Sequence, residues 1–220
     1  MRLYFHYCPT GFSNCYILGT DPPYVDSTVH IEKSPLEALR PPEAIIIDPG
    51  NMDASLLKLI EDNGYCLRGV LITHDHAHHV RGLKTIMRIY DTEIYAINPV
   101  IGEHRSTRVK DGDKIDIGPF KTEVISIPGH SADSAVFKID RLLFTGDTLT
   151  AGLVGRTASS FAAATQISAL RSRLLSLPGD YIILGGHGPP SSLEAERRFN
   201  LGLNSPQQQK KRRPSFWFEN

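Results

Sequence analysis

The feature that most constrains this chain is a cluster of four histidines, His74, His76, His78 and His79, within six residues. The cluster follows directly after GVLIT, an apolar run that is typical of a buried strand. Four imidazoles held so close together would repel one another if they were protonated, whereas a divalent metal binds their neutral nitrogens. The sequence therefore predicts a metal site at the end of a strand.

Four other strand-like runs also end in a side chain that can bind a metal. AIII leads to Asp48, TEVISI to His130, LLFT to Asp147 and YIIL to His187, and each of these residues has a glycine close by that allows a tight turn. Strands of one sheet system that end in this way bring their side chains to one edge, the usual place for a site in α/β folds. Imidazole nitrogens with one or a few carboxylates suit zinc, iron or manganese better than magnesium or calcium.

Strand-like and helical patterns alternate along the chain, which indicates a mixed α/β fold. Asp53 can cap a helix over ASLLKLIEDN, and Gly64 can end it. Further helices are predicted over GLKTIMRIY, from about Thr165 to Leu177, and from Leu193 to Leu201. The runs TEVISI, AVFKI and LLFTG follow one another with only turns between them, so we expect hairpins in the middle of the chain.

Composition excludes several classes of protein. The 24 basic and 24 acidic residues give a net charge of zero, which argues against a nucleic-acid binder that uses its whole surface. No apolar run approaches the roughly 18–20 residues that span a bilayer, and the N-terminus lacks the features of a secretory signal. Three cysteines, an odd number, fit reduced thiols. We therefore expect a cytoplasmic protein with no nucleic-acid or membrane partner.

The motifs THDHAHHVRG, PGHSADS, TGDTL and GGHGP, in this order and preceded by IIIDPG, resemble those of the metallo-β-lactamase superfamily. GLVGRT and GGHGPPSSLEAERRFN are similar to its compact glyoxalase II-like (hydroxyacylglutathione hydrolase-like) members. The resemblance implies an α/β fold, a four-layer αββα sandwich, with one or two Zn²⁺ ions, or Fe or Mn, in the cleft between its sheets.

The same resemblance implies a domain organisation. We expect a single metallo-β-lactamase-fold domain over residues 1–203, with an inserted, proline-rich surface loop at about 20–43 that can shape the mouth of the cleft. The composition of residues 204–220 predicts a polar, basic tail without ordered structure. A homodimer is one expectation for the assembled protein.

The resemblance also implies a set of ligands. Metal one takes His74, His76 and His130, metal two takes His78, His79 and His187, and Asp147 bridges both. Asp48 is expected behind the metals, where it orients a ligand histidine or else only ends a strand. Arg156 either reaches a substrate carboxylate or forms a buried structural ion pair.

One departure from the family pattern bears on the second metal. The family motif is His-x-His-x-Asp-His, and this chain has His78 where the aspartate belongs. A neutral imidazole in place of a carboxylate predicts a weaker or differently selective second site. The alternative is that His78 turns away and the centre holds one metal, with Asp75 or Asp133 as nearby carboxylates that could compensate.

The implied activity is hydrolysis of a thioester or a related activated ester by a metal-bound hydroxide, held in place by the bridging carboxylate of Asp147. Three alternatives stay open, because one fold supports many chemistries. They are a phosphodiesterase or nuclease, a mononuclear iron persulfide dioxygenase, and a metal-binding protein with little activity.

Overall fold

The computed structural model describes residues 1–21 and 41–204. Most of the insertion expected at about 20–43, and nearly all of the tail expected over 204–220, lie outside these residues. Within the described ranges, no helix is both long and apolar enough to cross a membrane. Cys8, Cys15 and Cys66 are free thiols, and the first two are buried.

The first half of the chain forms a six-stranded sheet and three helices. Its elements are β1 (Arg2–Cys8), β2 (Ser13–Gly19), β3 (Glu43–Ile47), α1 (Ala54–Asp62), β4 (Cys66–Leu71), α2 (Ala77–Val80), α3 (Leu83–Ile89), β5 (Glu93–Ala96), β6 (Val100–Ile101), β7 (His104–Arg105) and β8 (Thr107–Arg108). The strand order in the sheet is β1-β2-β3-β4-β5-β8. The first three strands are antiparallel, and β3, β4, β5 and β8 run parallel to one another.

The second half repeats this plan with more hairpins. Its elements are β9 (Lys114–Ile117), β10 (Phe120–Ser126), β11 (Ala135–Ile139), β12 (Leu142–Gly146), β13 (Leu149–Thr150), β14 (Leu153–Val154), α4 (Ser160–Ala169), a π-helical turn (Leu170–Leu174), β15 (Ile182–Gly185), β16 (Ser191–Ser192) and α5 (Leu193–Phe199). The second sheet has the order β16-β15-β12-β11-β10-β9, and only its β12–β15 pair is parallel.

The apolar residues form three layers of core, which follow from the period-2 alternation of the strands. On the outer face of the first sheet, Ile17 and Ile46 pack with Leu56 of α1 and Ile86 of α3. Between the sheets lie side chains of the alternate positions: Tyr16, Leu18, Ile45, Ile47 and Leu71 from the first sheet, and Phe120, Val124, Phe137, Phe144 and Leu184 from the second.

The helices of the second half cover the outer face of the second sheet. Leu170 and Leu174 of the π-helical turn and Leu193 of α5 pack on Leu143 and Ile183. Two sheets face to face with helices on both outer sides make the four-layer αββα sandwich that the motifs led us to expect.

Most predicted elements are present, and one helix differs at its start. Asp53 caps α1 as predicted, because its carboxylate accepts hydrogen bonds from the backbone N–H groups of Ser55 and Leu56. The helix predicted from about Thr165 begins five residues earlier. Ser159 caps it by accepting from the N–H of Ala162, and the alanine-rich first turns carry high helix propensity without an apolar stripe.

Candidate metal centre

The histidine cluster lies in the turn after β4 and continues into the short helix α2, which contains His78 and His79. The other predicted side chains follow β3, β10, β12 and β15, whose ends meet at one edge of the sandwich. The structure brings these predicted residues together around one point: His74, His76, His78, His79, His130, His187, Asp48 and Asp147.

Asp48 and Thr73 fix the tautomer of His74 from behind. Asp48 has a backbone φ of +50° and is buried. Its carboxylate accepts hydrogen bonds from the Thr73 backbone N–H at 2.8 Å and from the Thr73 hydroxyl at 2.6 Å. Because that hydroxyl has only one proton, its oxygen accepts from Nδ1–H of His74 at 3.0 Å. The lone pair of His74 Nε2 is therefore free to face the cluster.

Backbone carbonyls fix two further imidazoles in the same way. Nδ1 of His130 donates to the carbonyl oxygen of Arg156 at 2.7 Å, and Nδ1 of His187 donates to that of Phe12 at 2.6 Å. A carbonyl oxygen only accepts, so in each imidazole Nδ1 carries the proton. Nε2 of both side chains is therefore able to bind a metal.

His79 is completely buried between two carboxylates. Its Nδ1 lies 3.4 Å from Asp48 Oδ2, and its Nε2 lies 3.3 Å from Asp147 Oδ1. Burial alone would lower the pKa of this imidazole, but the carboxylates of Asp147 and Asp48 outweigh it and raise the pKa of His79 to about 9. A raised pKa favours the protonated imidazole, so a metal that binds Nε2 of His79 would compete with a proton.

Asp147 lies at the centre of the cluster, and the spacing around it suits a metal. Two ligands of one tetrahedral zinc ion, with bonds of about 2.0–2.1 Å, are roughly 3.3 Å apart. The Oδ2 atom of Asp147 lies 3.4–3.8 Å from the Nε2 atoms of four imidazoles, those of His74, His78, His130 and His187.

Unpartnered polar atoms give a second test of the fit. Nε2 of His74, of His78 and of His79 is buried and has no hydrogen-bond partner in the described part of the chain, and Asp147 Oδ1 is in the same state. Buried polar atoms without a partner cost free energy. Divalent cations bound in the cluster would give all four atoms a partner, so the residues present fit a metal.

The ligand atoms form two groups that share Asp147. One group contains His74, His76 and His130, the other contains His74, His78 and His79, and within each group all ligand atoms lie within 4.8 Å of one another. His187 is outside the second group by this measure, although its Nε2 is 3.4 Å from Asp147 Oδ2. His78 points toward Asp147, with Nε2 3.5 Å from Oδ2, and does not turn away.

The remaining pKa shifts separate neutral from charged imidazoles. Burial lowers the pKa of His74 to about 3, and burial followed by neighbouring histidines also lowers the pKa of His76 and of His78. The carboxylate of Asp147 raises the pKa of His187. Burial would raise the pKa of Asp147, but His187 and His79 hold that pKa well below its ordinary value. Asp147 is therefore an anion at every physiological pH.

A cavity of about 450 Å³ opens over this cluster. Its floor includes His78, His130, Asp147 and His187, and its walls are Gly11, Thr150, Leu153, Val154, Gly155 and Arg156. Arg156 is exposed, so the alternative of a buried structural ion pair is wrong.

Two carboxylates that could have compensated for the missing aspartate do not reach the ligand groups. Asp133 Oδ2 accepts from the backbone N–H of Asp75 at 2.9 Å and from the Asn98 amide at 3.0 Å. Within the described ranges neither Asp75 nor Asp133 belongs to a possible metal group. Asp133 instead ties the histidine turn after β4 to the turn that carries His130.

Sequence reasoning missed the side chains and carbonyls that support the imidazoles. Thr73 stands inside the recognised motif and could have been found from its neighbour His74. Phe12 and Ser13 carry no local signal, because they meet His187 and His78 from 175 and 65 residues away along the chain.

A family model of the metallo-beta-lactamase superfamily matches residues 41–187, the part of the chain that carries all of the predicted ligands. The chain belongs to the metallo-beta-lactamase superfamily. Members of this superfamily are mostly metal-dependent hydrolases.

Individual relatives agree with this assignment. Hydroxyacylglutathione hydrolase GloC of Haemophilus influenzae is 31% identical over 188 residues, which cover 74% of this chain and 88% of the relative. The crystal structure of ETHE1 from Myxococcus xanthus superposes with a TM-score of 0.76 at 21% identity, over 98% of this chain and 93% of that chain. The protein TTHA1623, whose crystal structure is of a di-iron-bound form, has a TM-score of 0.65 at 24% identity, over 86% and 93% of the two chains. The two structures share the superfamily fold with this chain.

Proposed function

We propose that this metallo-beta-lactamase superfamily member is a hydrolase that cleaves a thioester, or a related activated ester, with two divalent ions held around Asp147. The observation that carries the proposal is the direction of the imidazoles. His74, His130 and His187 have Nδ1 engaged behind them and point Nε2 at one carboxylate. The relative in Haemophilus influenzae, named for hydrolysis of a glutathione thioester, supports the substrate class.

The ligand roles follow the two sides of Asp147. His74, His76 and His130 would hold one ion, His78, His79 and His187 would hold the other, and Asp147 would bridge them. Zinc, iron or manganese bound there would lower the pKa of a water molecule toward 7 and polarise the substrate carbonyl. Asp48 and Thr73 keep the imidazoles of His74 and His79 in the orientation that binding needs.

The leaving group selects a thioester over an ordinary ester or amide. The described lining of the cavity has one carboxyl group, that of Asp147, whose lowered pKa makes it a poor proton donor. A thiol has a pKa of about 8.5 and leaves as a thiolate without a general acid. An alkoxide or amine leaving group would need a proton that this cavity does not readily give.

Arg156 supplies substrate recognition in this proposal. Arg156 is exposed and lines the cavity together with Leu153 and Val154, while its carbonyl oxygen accepts a hydrogen bond from His130. A guanidinium binds a carboxylate through two parallel hydrogen bonds, which suits a thioester whose thiol portion carries a carboxylate. Leu153 and Val154 offer apolar contact to the same ligand.

The alternative activities receive less support from the site. A phosphodiesterase or nuclease is expected to need several cations along its cleft, and the described lining of this cavity has one arginine and no lysine. A mononuclear persulfide dioxygenase needs one ligand group, whereas His78 and His79 contribute to a second group here.

Two measurements on the same preparation test the function. Elemental analysis of protein purified without chelators or a histidine tag is expected to give about two zinc, iron or manganese ions per chain. That protein is expected to hydrolyse S-lactoylglutathione and to leave the corresponding amide intact. Protein that holds two ions per chain and hydrolyses neither S-lactoylglutathione nor an acyl-coenzyme A thioester would contradict the proposal.

A further inference from the structure

The segment Gly11-Phe12-Ser13 closes the turn between β1 and β2, and Ser13 is also the first residue of β2. This turn contacts two histidines on one side of Asp147, His78 and His187. The Ser13 hydroxyl donates a hydrogen bond to the backbone carbonyl of His78 at 2.6 Å. Gly11 packs so tightly on the same residue that an added Cβ would lie 2.5 Å from the Cβ of His78. Gly50 packs against the same carbonyl, because a Cβ there would overlap the His78 carbonyl oxygen and the Ser13 hydroxyl. The backbone of His78 is thus confined by Gly11, Ser13 and Gly50.

The same turn also holds His187. The carbonyl oxygen of Phe12 accepts from Nδ1 of His187 at 2.6 Å. Asn14, the next residue, donates three hydrogen bonds to the backbone around His187. Its backbone N–H donates to the Gly186 carbonyl at 2.8 Å, and its amide donates to the carbonyls of Gly185 at 2.9 Å and of Gly188 at 2.8 Å. The loop that carries His187 is therefore tied to the turn and the strand that hold His78.

The backbone of Phe12 has a conformation that is unfavourable for a residue with a side chain, and burial of its ring does not explain it. Phe12 has a φ of +53°, in the left-handed region that a bulky residue rarely adopts. Its side chain is 72% exposed, so the conformation does not serve to bury the ring. Such strain costs on the order of 1–3 kcal/mol and persists where the surroundings over-determine it, often at functional sites. What the conformation does achieve is to aim the Phe12 carbonyl at His187.

We infer that the Gly11-Phe12-Ser13 turn is a positioning element for the second ion. It holds His78 and His187 in place relative to each other, and this allows the imidazole of His78 to bind the ion where the family has an aspartate. This inference rests on the two-ion function proposed above. The contacts act on the backbone of His78 and on Nδ1 of His187, so neither Phe12 nor Ser13 needs to touch the ion or the substrate.

Two substitutions at Phe12 separate the carbonyl from the ring. Phe12→Gly removes the ring and keeps the left-handed backbone, which glycine adopts freely. Phe12→Pro also removes the ring, but proline fixes φ near −65° and turns the carbonyl away. Ser13→Ala removes the hydroxyl that donates to the His78 carbonyl, and it provides the test if the Phe12→Pro protein does not fold. Ser176→Ala is the matched control, because that hydroxyl likewise donates to a backbone carbonyl, that of Ser172 at 2.7 Å, outside the cluster.

The test is a titration of the chelator-treated proteins with Co²⁺, in which each ion bound gives its own visible absorption band and affinity. Loss of a residue behind a metal ligand typically costs 10–100-fold in affinity. We expect Phe12→Pro and Ser13→Ala to weaken the second equivalent about 10–100-fold with the first unchanged, and Phe12→Gly and Ser176→Ala to bind like the unaltered protein. Unchanged second-equivalent binding in both Phe12→Pro and Ser13→Ala would overturn the inference and leave the two-ion function standing. A single equivalent in the unaltered protein would overturn both.

Discussion

The two sides of Asp147 present the same kinds of ligand in different surroundings. On the first side the side chains of His74 and His130 are 1% and 13% exposed, whereas on the second side those of His78 and His187 are 30% and 35% exposed. The first side contains His74, whose pKa of about 3 keeps it neutral, and the second contains His79, whose pKa of about 9 keeps it protonated without metal. An ion that binds His74 therefore displaces no proton, whereas an ion that binds His79 competes with a proton.

The ligand set also has one carboxylate fewer than the family pattern, and the loss falls on the second side. With His78 in the family's aspartate position, both sides would bind their ions through neutral imidazoles around one anion, Asp147. The ligands of two divalent ions then supply one negative charge less than in the family pattern. We therefore expect the second metal ion to bind more weakly than the first. We also expect its affinity to depend on the residues that hold His78 and His187 in place.

Removing the shared carboxylate should have the largest effect, because both sides lose their common ligand. Asp147→Asn keeps the shape of the side chain and removes its charge. We expect the metal content to fall below one ion per chain and thioester hydrolysis to fall by about 10³-fold or more, measured by elemental analysis and by initial rates. Asp140→Asn is the control, since Asp140 lies in an exposed turn with a φ of +50° that asparagine tolerates. An Asp147→Asn protein that keeps both ions would show that the carboxylate is no bridge.

The stability of the metal-free protein should depend on pH in opposite ways on the two sides. His79 has a raised folded-state pKa of about 9, so its stabilisation is complete below its unfolded pKa of about 6.5 and is lost as pH rises through 9. His74 has a lowered folded-state pKa of about 3, so the protein loses stability as pH falls below about 6.5.

Urea unfolding of the chelator-treated protein between pH 6.5 and 9.5 measures the His79 part of this dependence. We expect the free energy of unfolding to fall by on the order of 3 kcal/mol over this range, and we expect the His79→Gln protein to show a much flatter profile. An unaltered protein as stable at pH 9.5 as at pH 6.5 would show that His79 is not held as an imidazolium by Asp147 and Asp48.

Breaking the support of His74 should affect the first side more than the second, which Thr73 reaches only through Asp48 and His79. Thr73→Val keeps the volume and removes the hydroxyl that accepts from His74 and donates to Asp48. We expect the first equivalent of Co²⁺ to bind about 10–100-fold more weakly, with Thr73→Ser as the variant that restores affinity. An equal loss in Thr73→Ser would mean that packing, and not the hydroxyl, matters at this position.

Restoring the family's carboxylate should have the smallest effect, and it acts on the second side. We expect His78→Asp to bind the second equivalent about tenfold more tightly because an anionic ligand offsets part of the charge of the ions, with the first equivalent unchanged. His78→Asn, which offers a neutral oxygen of similar size, is the control. If His78→Asp leaves both affinities and the hydrolysis rate as they were, position 78 does not tune the second site.

The sequence predicted those parts of the centre that local patterns encode. The ends of β3, β4, β10, β12 and β15 mark the residues that come together in the cluster, and Asp53 marks the start of α1, because hydrophobic period and capping are properties of neighbouring residues. The direction of His78 could not be read in this way. It depends on Ser13 and Gly11, which meet His78 only after the first sheet has formed. The tautomer of His187 depends in the same way on a carbonyl of a distant turn.

The central claim is that His78 serves as a ligand of a second ion beside Asp147. Anomalous diffraction from crystals of the protein, grown without chelators and measured at the absorption edge of the metal found by elemental analysis, tests it most directly. We expect two peaks roughly 3.5–4 Å apart, with Nε2 of His78 bonded to the one nearer His79 and His187. One peak, surrounded by His74, His76 and His130 with the His78 imidazole turned away from it, would show that His78 is not a metal ligand.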